Sequence, residues 1–268
     1  MSVAIINSTN YRDFLNYKFE GLTTGFHYLD KDKAIGSDDF VVIAGSTGSG
    51  KSTIALYMAC NIAISGKKVV YYNLELSATR VMQIIINLGF NPDKLMKNLV
   101  IINERPLNMS TIIGVVLGHQ AQALFIDVFS CLLTKASGHR IPLITEDLAT
   151  KFSYFPEKYG CAVFVTEQLI KERMAYKRPT ENEIKGGSAL CHKASKIILV
   201  YRHTKEHLEK LMQDDLPNIA AKVTELLVRK DRFGRCKEFI QLYKLSLGFH
   251  GLDSLDNRQY CDFVFKGR

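Results

Sequence analysis

The chain has 268 residues, 47% hydrophobic and 23% charged, a globular composition that excludes a disordered protein. No apolar run approaches the roughly 18 residues of a membrane-spanning helix, and Met1 to Asn7 lacks the basic flank and apolar stretch of a secretory signal, so no membrane partner and a cytoplasmic location are expected. The formal charge of +8 and pI near 9.1 fit a polyanionic partner through counterion release, or a basic excess spread over a solvated surface.

In chain order, the apolar run Val41–Ala44 opens into a Gly/Ser-rich loop, and Ile54–Ile64 follows with helical spacing. After the break at Gly66-Lys67-Lys68, Val69–Leu74 reads as a buried strand, and Ser77 is placed to cap a following helix. Leu99–Ile102, Ala123–Asp127, Cys161–Thr166 and Lys196–Tyr201 read as further strands, with a helix over Met109–His119. Near-continuous apolar strands alternating with helices predict an α/β fold with a mostly parallel central sheet and helices on both faces. From Thr224 onward, Glu225–Lys230 and Glu238–Tyr243 predict an antiparallel hairpin that extends the sheet. Two polar stretches, Lys135–Ile141 and Lys171–Gly187, are long enough to be functional loops. Cys60, Cys131, Cys161, Cys191, Cys236 and Cys261 form no close pair, which argues against a zinc site or a disulfide framework.

The loop is Gly45-Ser46-Thr47-Gly48-Ser49-Gly50-Lys51-Ser52, followed by Thr53. Its glycines let successive backbone N–H groups face the β- and γ-phosphates of a nucleoside triphosphate, Lys51 adds a cation, and the Ser52 hydroxyl is a Mg²⁺ ligand. ATP and Mg²⁺ are therefore the expected ligands, with residues 45–53 as the binding segment. Asp127, ending its apolar strand, is the candidate acid for the magnesium shell, although a strand-terminal Asp also forms turns. Glu75 follows the second strand, on the sheet edge where open α/β folds bind ligands. It is a candidate general base for the attacking water, or else a helix-start Glu on the macrodipole. Gln168, just past Thr166, is a candidate γ-phosphate sensor.

At this point the residues resemble a family. Leu22-Thr23-Thr24-Gly25-Phe26-His27-Tyr28-Leu29-Asp30, the phosphate loop, Asn73-Leu74-Glu75-Leu76-Ser77, the Asp127 strand, Thr166-Glu167-Gln168-Leu169, Lys177-Arg178-Pro179 and Arg229-Lys230-Asp231-Arg232 stand in the order seen in DnaB-type replicative helicases. The resemblance runs from Phe19 to Tyr243 and covers their carboxy-terminal RecA-like motor. It implies an arm or linker over residues 1–20, a motor domain over residues 21–268 and no amino-terminal collar. It further implies a homo-oligomeric ring, a hexamer, that hydrolyses ATP while moving along single-stranded DNA and works with other replication proteins. By resemblance, Lys51, Glu75 and Gln168 serve catalysis, while Lys230 and Arg232 reach the neighbouring subunit's γ-phosphate as a basic finger. Without the resemblance, residues 229–235 read as a solvated basic turn.

Ile184-Lys185-Gly186-Gly187-Ser188-Ala189-Leu190 departs from the helicase pattern and resembles RecA-type recombinases. Lys171, Arg173, Lys177, Arg178 and Lys185, with Tyr176 among them, make that loop the candidate DNA contact, or a basic surface loop. The stretch 135–140 is a second candidate. Two other functions stay open: a recombinase-like ATPase forming filaments on single strands, and a loader-type ATPase that uses nucleotide as a switch.

Overall fold

The computed structural model describes residues 19–106, 108–133, 140–170, 178–202, 223–235 and 240–244. Among them, eight strands form one sheet: β1 (Phe40–Gly45), β2 (Val69–Asn73), β3 (Leu99–Ile102), β4 (Ala123–Asp127), β5 (Ala162–Gln168), β6 (Lys196–Arg202), β7 (Val223–Asp231) and β8 (Ile240–Lys244). Their order is β3-β2-β4-β5-β1-β6-β7-β8, parallel through β6 and antiparallel at the β6–β7 and β7–β8 pairs. The mostly parallel sheet and the antiparallel extension expected from the sequence are both present.

Alternation along the strands divides the core into two layers. Val41 and Ile43 of β1 pack on one face with Ile54, Met58 and Ile62 of helix α2 (Lys51–Ile64). Phe40, Val42 and Ala44 pack on the other with Phe152 and Phe155. Both faces are thus buried, which is why the strands read as continuous apolar runs. A short helix α1 (His27–Lys31) precedes β1, and α3 (Ala78–Asn87) and α4 (Pro92–Leu95) share the face of α2. The opposite face carries α5 (Met109–His119), α6 (Arg140–Tyr159) and α7 (Gly187–Lys193). Ser77 caps α3 as expected, accepting from the Arg80 N–H at 3.3 Å.

Helix α6 is the main element that the sequence reading passed over. It begins where a loop was expected to continue and contains Pro156, yet Ala149, Phe152 and Phe155 anchor it to the sheet. The candidate loop therefore gives way to helix at Arg140. The second loop is likewise shorter than expected, because residues 181–183 form a 3₁₀ turn and α7 starts at Gly187. Among the described residues, no helix is long and apolar enough to cross a membrane. The amino-terminal stretch before Phe19, most of the loop 135–140, Lys171, Arg173, Tyr176, Lys177, Cys236, Cys261 and the tail 247–268 lie outside the described residues.

Candidate nucleotide site at the carboxyl edge of the sheet

Gly45 ends β1, and the chain turns through Gly48 (φ +76°) and Gly50 (φ +95°) into α2. Both left-handed residues are glycines, as the conformation demands. Gly45 is fixed by space instead: a Cβ there would lie 2.5 Å from the Val200 carbonyl oxygen and 2.6 Å from Ser49 Oγ. Helix α2 starts without a side-chain cap at Gly50, so its first N–H groups and positive dipole end suit an anion. Ser49 Oγ is buried and has no hydrogen-bond partner among the described residues. Lys51 Nζ donates to the loop's own Ser46 carbonyl at 3.1 Å. Uncapped helix, orphaned hydroxyl and inward lysine together fit a bound polyphosphate.

Asp127, 1% exposed at the end of β4, accepts three hydroxyl hydrogen bonds. Ser52 Oγ and Thr166 Oγ1 donate to Oδ1 at 3.0 and 2.5 Å, and Tyr71 Oη to Oδ2 at 3.3 Å. Strand register explains the convergence. Tyr71, Phe125 and Phe164 are cross-strand neighbours whose rings stack at 5.8 and 4.2 Å between centroids. Asp127 and Thr166 lie two residues farther along and so on the same face. Burial pushes the Asp127 carboxyl above its ordinary range, opposed by the Thr166 and Ser52 hydroxyls. A hydroxyl beside a carboxylate is a hard-oxygen pair suited to Mg²⁺, which characteristically takes one or two protein ligands together with substrate phosphates. Among the described residues no group of three or more His, Cys, Asp or Glu could hold a metal ion.

Glu75 is exposed just beyond β2. Asn73 fixes the turn that presents it: Nδ2 donates to the Leu76 carbonyl at 2.6 Å, and the Leu76 N–H donates to Oδ1 at 3.1 Å. Burial lowers the Lys51 ammonium's pKa, while the charges of Glu75, Asp127 and Glu167 act the other way. Gln168 pairs with Gly45 across β5 and β1, which brings it beside the phosphate loop. Glu167, 1% exposed, accepts from the Ser130 and Gln168 N–H groups, each at 2.8 Å. It thereby ties the 3₁₀ turn Phe129–Leu133 to the end of β5. Tyr71, Asn73, Thr166 and Glu167 were missed as site residues; Asn73 and Glu167 stand within two residues of Glu75 and Gln168, whereas Tyr71 and Thr166 reach Asp127 only through strand register.

Of the remaining candidates, Lys230 and Arg232 lie toward the opposite edge of the sheet. Lys230 pairs in register with Ile197 near the start of β6, level with Val42, whereas the phosphate loop leaves the sheet at Gly45, level with Val200 and Leu226. At the strand rise of about 3.3 Å per residue, Arg232 sits roughly 20 Å from its own chain's phosphate edge. Lys230 Nζ lies 2.5 Å from the Cys191 carbonyl oxygen and Arg232 Nη2 lies 2.6 Å from that of His192, so both cations hold the carboxyl end of α7. Arg178 forms a two-pronged ion pair with Glu225, at 2.6 and 2.9 Å, and Glu225 is fully buried. Lys185 donates its backbone N–H to the Gln168 carbonyl at 2.7 Å. This and the Leu169–Ile184 bridge bring together the chain on either side of residues 171–183.

The mostly parallel sheet, covered on both faces and extended by an antiparallel pair, has a RecA-like fold, with the candidate phosphate loop, the strand-terminal acid and the edge glutamate at one edge. Residues 21–93 match the family model of the DnaB-like helicase C terminal domain. Over that segment the DnaB-type resemblance is borne out; it includes the phosphate loop and Glu75 but ends before Asp127. Over 83 residues the chain is 36% identical to the "Probable plasmid replicative DNA helicase" of Chlamydia muridarum (strain MoPn / Nigg), a stretch covering 30% of this chain and 18% of that protein. A solved DnaB-like replicative helicase, described with its interactions with primase, superposes with a TM-score of 0.72 at 17% identity, over 92% of this chain and 67% of that one. A KaiC-like protein from Pyrococcus horikoshii OT3 gives a TM-score of 0.68 at 18% identity, over 89% of this chain and all of that one. At such identities these two likenesses are of fold.

Proposed function

We propose that this protein is an ATP-driven DNA helicase motor of the DnaB type, hydrolysing ATP at interfaces between subunits of a homo-oligomeric ring on single-stranded DNA. The carrying observation is the separation within one chain of Lys51, Ser52, Asp127, Glu75 and Gln168 at one sheet edge from Lys230 and Arg232 near the other. A basic pair that cannot reach its own phosphate edge is suited to a neighbour's. A cation supplied across an interface stabilises transition-state charge and couples turnover to subunit motion.

In this reading residues 45–53 cradle the polyphosphate, Lys51 neutralises charge there, and Glu75 accepts a proton from the attacking water. Gln168 meets the γ-phosphate beside Gly45 and is joined through its carbonyl to Lys185, at the base of the DNA-facing loop. Lys171, Arg173, Lys177 and Lys185 supply that loop's phosphate contacts, and Arg178 anchors it. Ser52 and Asp127 would hold Mg²⁺, which would supply positive charge against that of the polyphosphate. Other replication proteins are expected partners, as primase is for the DnaB-like helicase above.

Unwinding of a forked duplex with ATP and Mg²⁺ tests the reading. Strand separation abolished by Lys51→Ala supports it. ATP turnover indifferent to single-stranded DNA sinks it, and open filaments on DNA under electron microscopy would favour a recombinase-like ATPase.

A further inference from the structure

The turn that carries Arg232 is held by a device that the nucleotide chemistry does not use. Before Arg232, Asp231 forms an ion pair with Lys196 Nζ at 2.8 Å, both side chains almost wholly buried, and the Arg232 N–H donates to the Ser195 carbonyl at 2.8 Å. The chain then reverses: the Phe233 N–H donates to Asp231 Oδ1 at 3.2 Å, and Gly234 takes a φ of +63°. After the reversal Arg235 folds back onto the start of β1. Its Nη1 lies 3.0 Å from Asp38 Oδ1 and 2.9 Å from Asp39 Oδ2, and its Nη2 donates to Asp38 Oδ2. The guanidinium also lies against two rings, 3.6 Å from the Phe19 centroid and 4.5 Å from that of Phe233.

The receiving side is built for this clasp. Asp39 is fully buried, and its remaining contacts are supplied by Ser195 Oγ at 2.6 Å and the Gly36 N–H at 2.9 Å. Phe19 lies so close to Gly36 that a Cβ there would stand 2.0 Å from the ring. The planar fork of an arginine can serve two carboxylates and two ring faces at once, which an ammonium cannot. The root of Arg232 is thus fixed on both sides, by Lys196–Asp231 before it and by Arg235 after it.

We propose that Arg235 is a positioning residue for the basic finger: by clasping the turn after β7 to Asp38 and Asp39, it sets where Lys230 and Arg232 meet the neighbouring subunit's nucleotide. This rests on the interface reading above. A long, exposed side chain delivers charge to a fixed point only from a fixed root, and displacement by about 1 Å costs on the order of 10²-fold in rate.

The test uses mixed subunits of the full chain. Arg235→Gln alone is expected to bind ATP normally and to hydrolyse it on the order of 10²-fold more slowly. Its phosphate loop is intact and its finger misplaced; Lys51→Ala has the opposite defect. Mixing the two inactive variants therefore restores turnover, because the finger of one meets the loop of the other, a recovery that general loss of structure would not allow. Arg232→Ala mixed with Lys51→Ala is the parallel test of the interface. If that pair recovers while Arg235→Gln with Lys51→Ala does not, or if Arg235→Gln alone turns over normally, the positioning role is overturned. If neither pair recovers, the interface reading itself falls. Should Arg235→Gln fail to fold, Arg235→Lys, which keeps the charge but loses the fork, is judged by the same criteria.

Discussion

Replacing Arg178 by alanine separates two roles for one cation, a DNA contact suggested by its loop and a structural anchor indicated by its partner. The pair has two charge-assisted bonds, at 2.6 and 2.9 Å, to a carboxylate with no exposed surface, while the arginine side chain is 28% exposed. Bonds to charged groups are worth about 1.5–3 kcal/mol each, and stranding a buried charge costs about 3–5 kcal/mol. Allowing for the arginine's partial exposure, we expect Arg178→Ala to cost about 2–3 kcal/mol, lowering the melting temperature by about 5–10 °C at roughly 2–4 °C per kcal/mol. Adding Glu225→Gln removes the charge of the buried carboxylate and should return part of that loss. Urea unfolding of the unsubstituted protein and the two variants measures this directly. An unchanged midpoint for Arg178→Ala, with the salt dependence of single-stranded DNA binding reduced by about 0.7, one phosphate contact, would refute the anchor and reinstate the DNA contact.

Gly45→Ala is expected to cost about 1–3 kcal/mol in urea unfolding and to weaken binding of an ATP analogue, because the new methyl meets the Val200 carbonyl and Ser49 Oγ. Since burial raises the Asp127 pKa, the carboxylate proposed to hold Mg²⁺ is protonated at a higher pH than an ordinary aspartate. The acid limb of kcat/KM is accordingly expected above the usual aspartate range, to be checked by a pH–rate profile. The folded state holds the extra proton in that window, so this titration does not itself favour unfolding, and activity should fall before the melting temperature does. Lys51→Ala is expected to weaken nucleotide binding in a fluorescence titration, whereas Arg232→Ala keeps binding and loses turnover.

What the sequence disclosed followed the range of each signal along the chain. The phosphate loop was legible because its residues are contiguous and the strand and helix flanking it have opposite periodicities. Asp127 was legible because it ends an apolar run, and the β7–β8 pair because two alternating segments flank a turn. Helix α6 was not, since Pro156 and its many polar residues obscure an apolar stripe that only Ala149, Phe152 and Phe155 complete against the sheet. Tyr71 and Thr166 join the site through the register of β2, β4 and β5, which no local pattern encodes. Arg178 with Glu225 and Arg235 with Asp38 are pairs between segments remote in sequence, which no local pattern encodes.

The central claim is that ATP is hydrolysed between subunits, at sites that single-stranded DNA stimulates. Its most direct test is the rate of ATP hydrolysis per protomer across a range of protein concentrations, with and without single-stranded DNA. A per-protomer rate that climbs as subunits assemble and climbs further with DNA is expected. A rate independent of both concentration and DNA would contradict it.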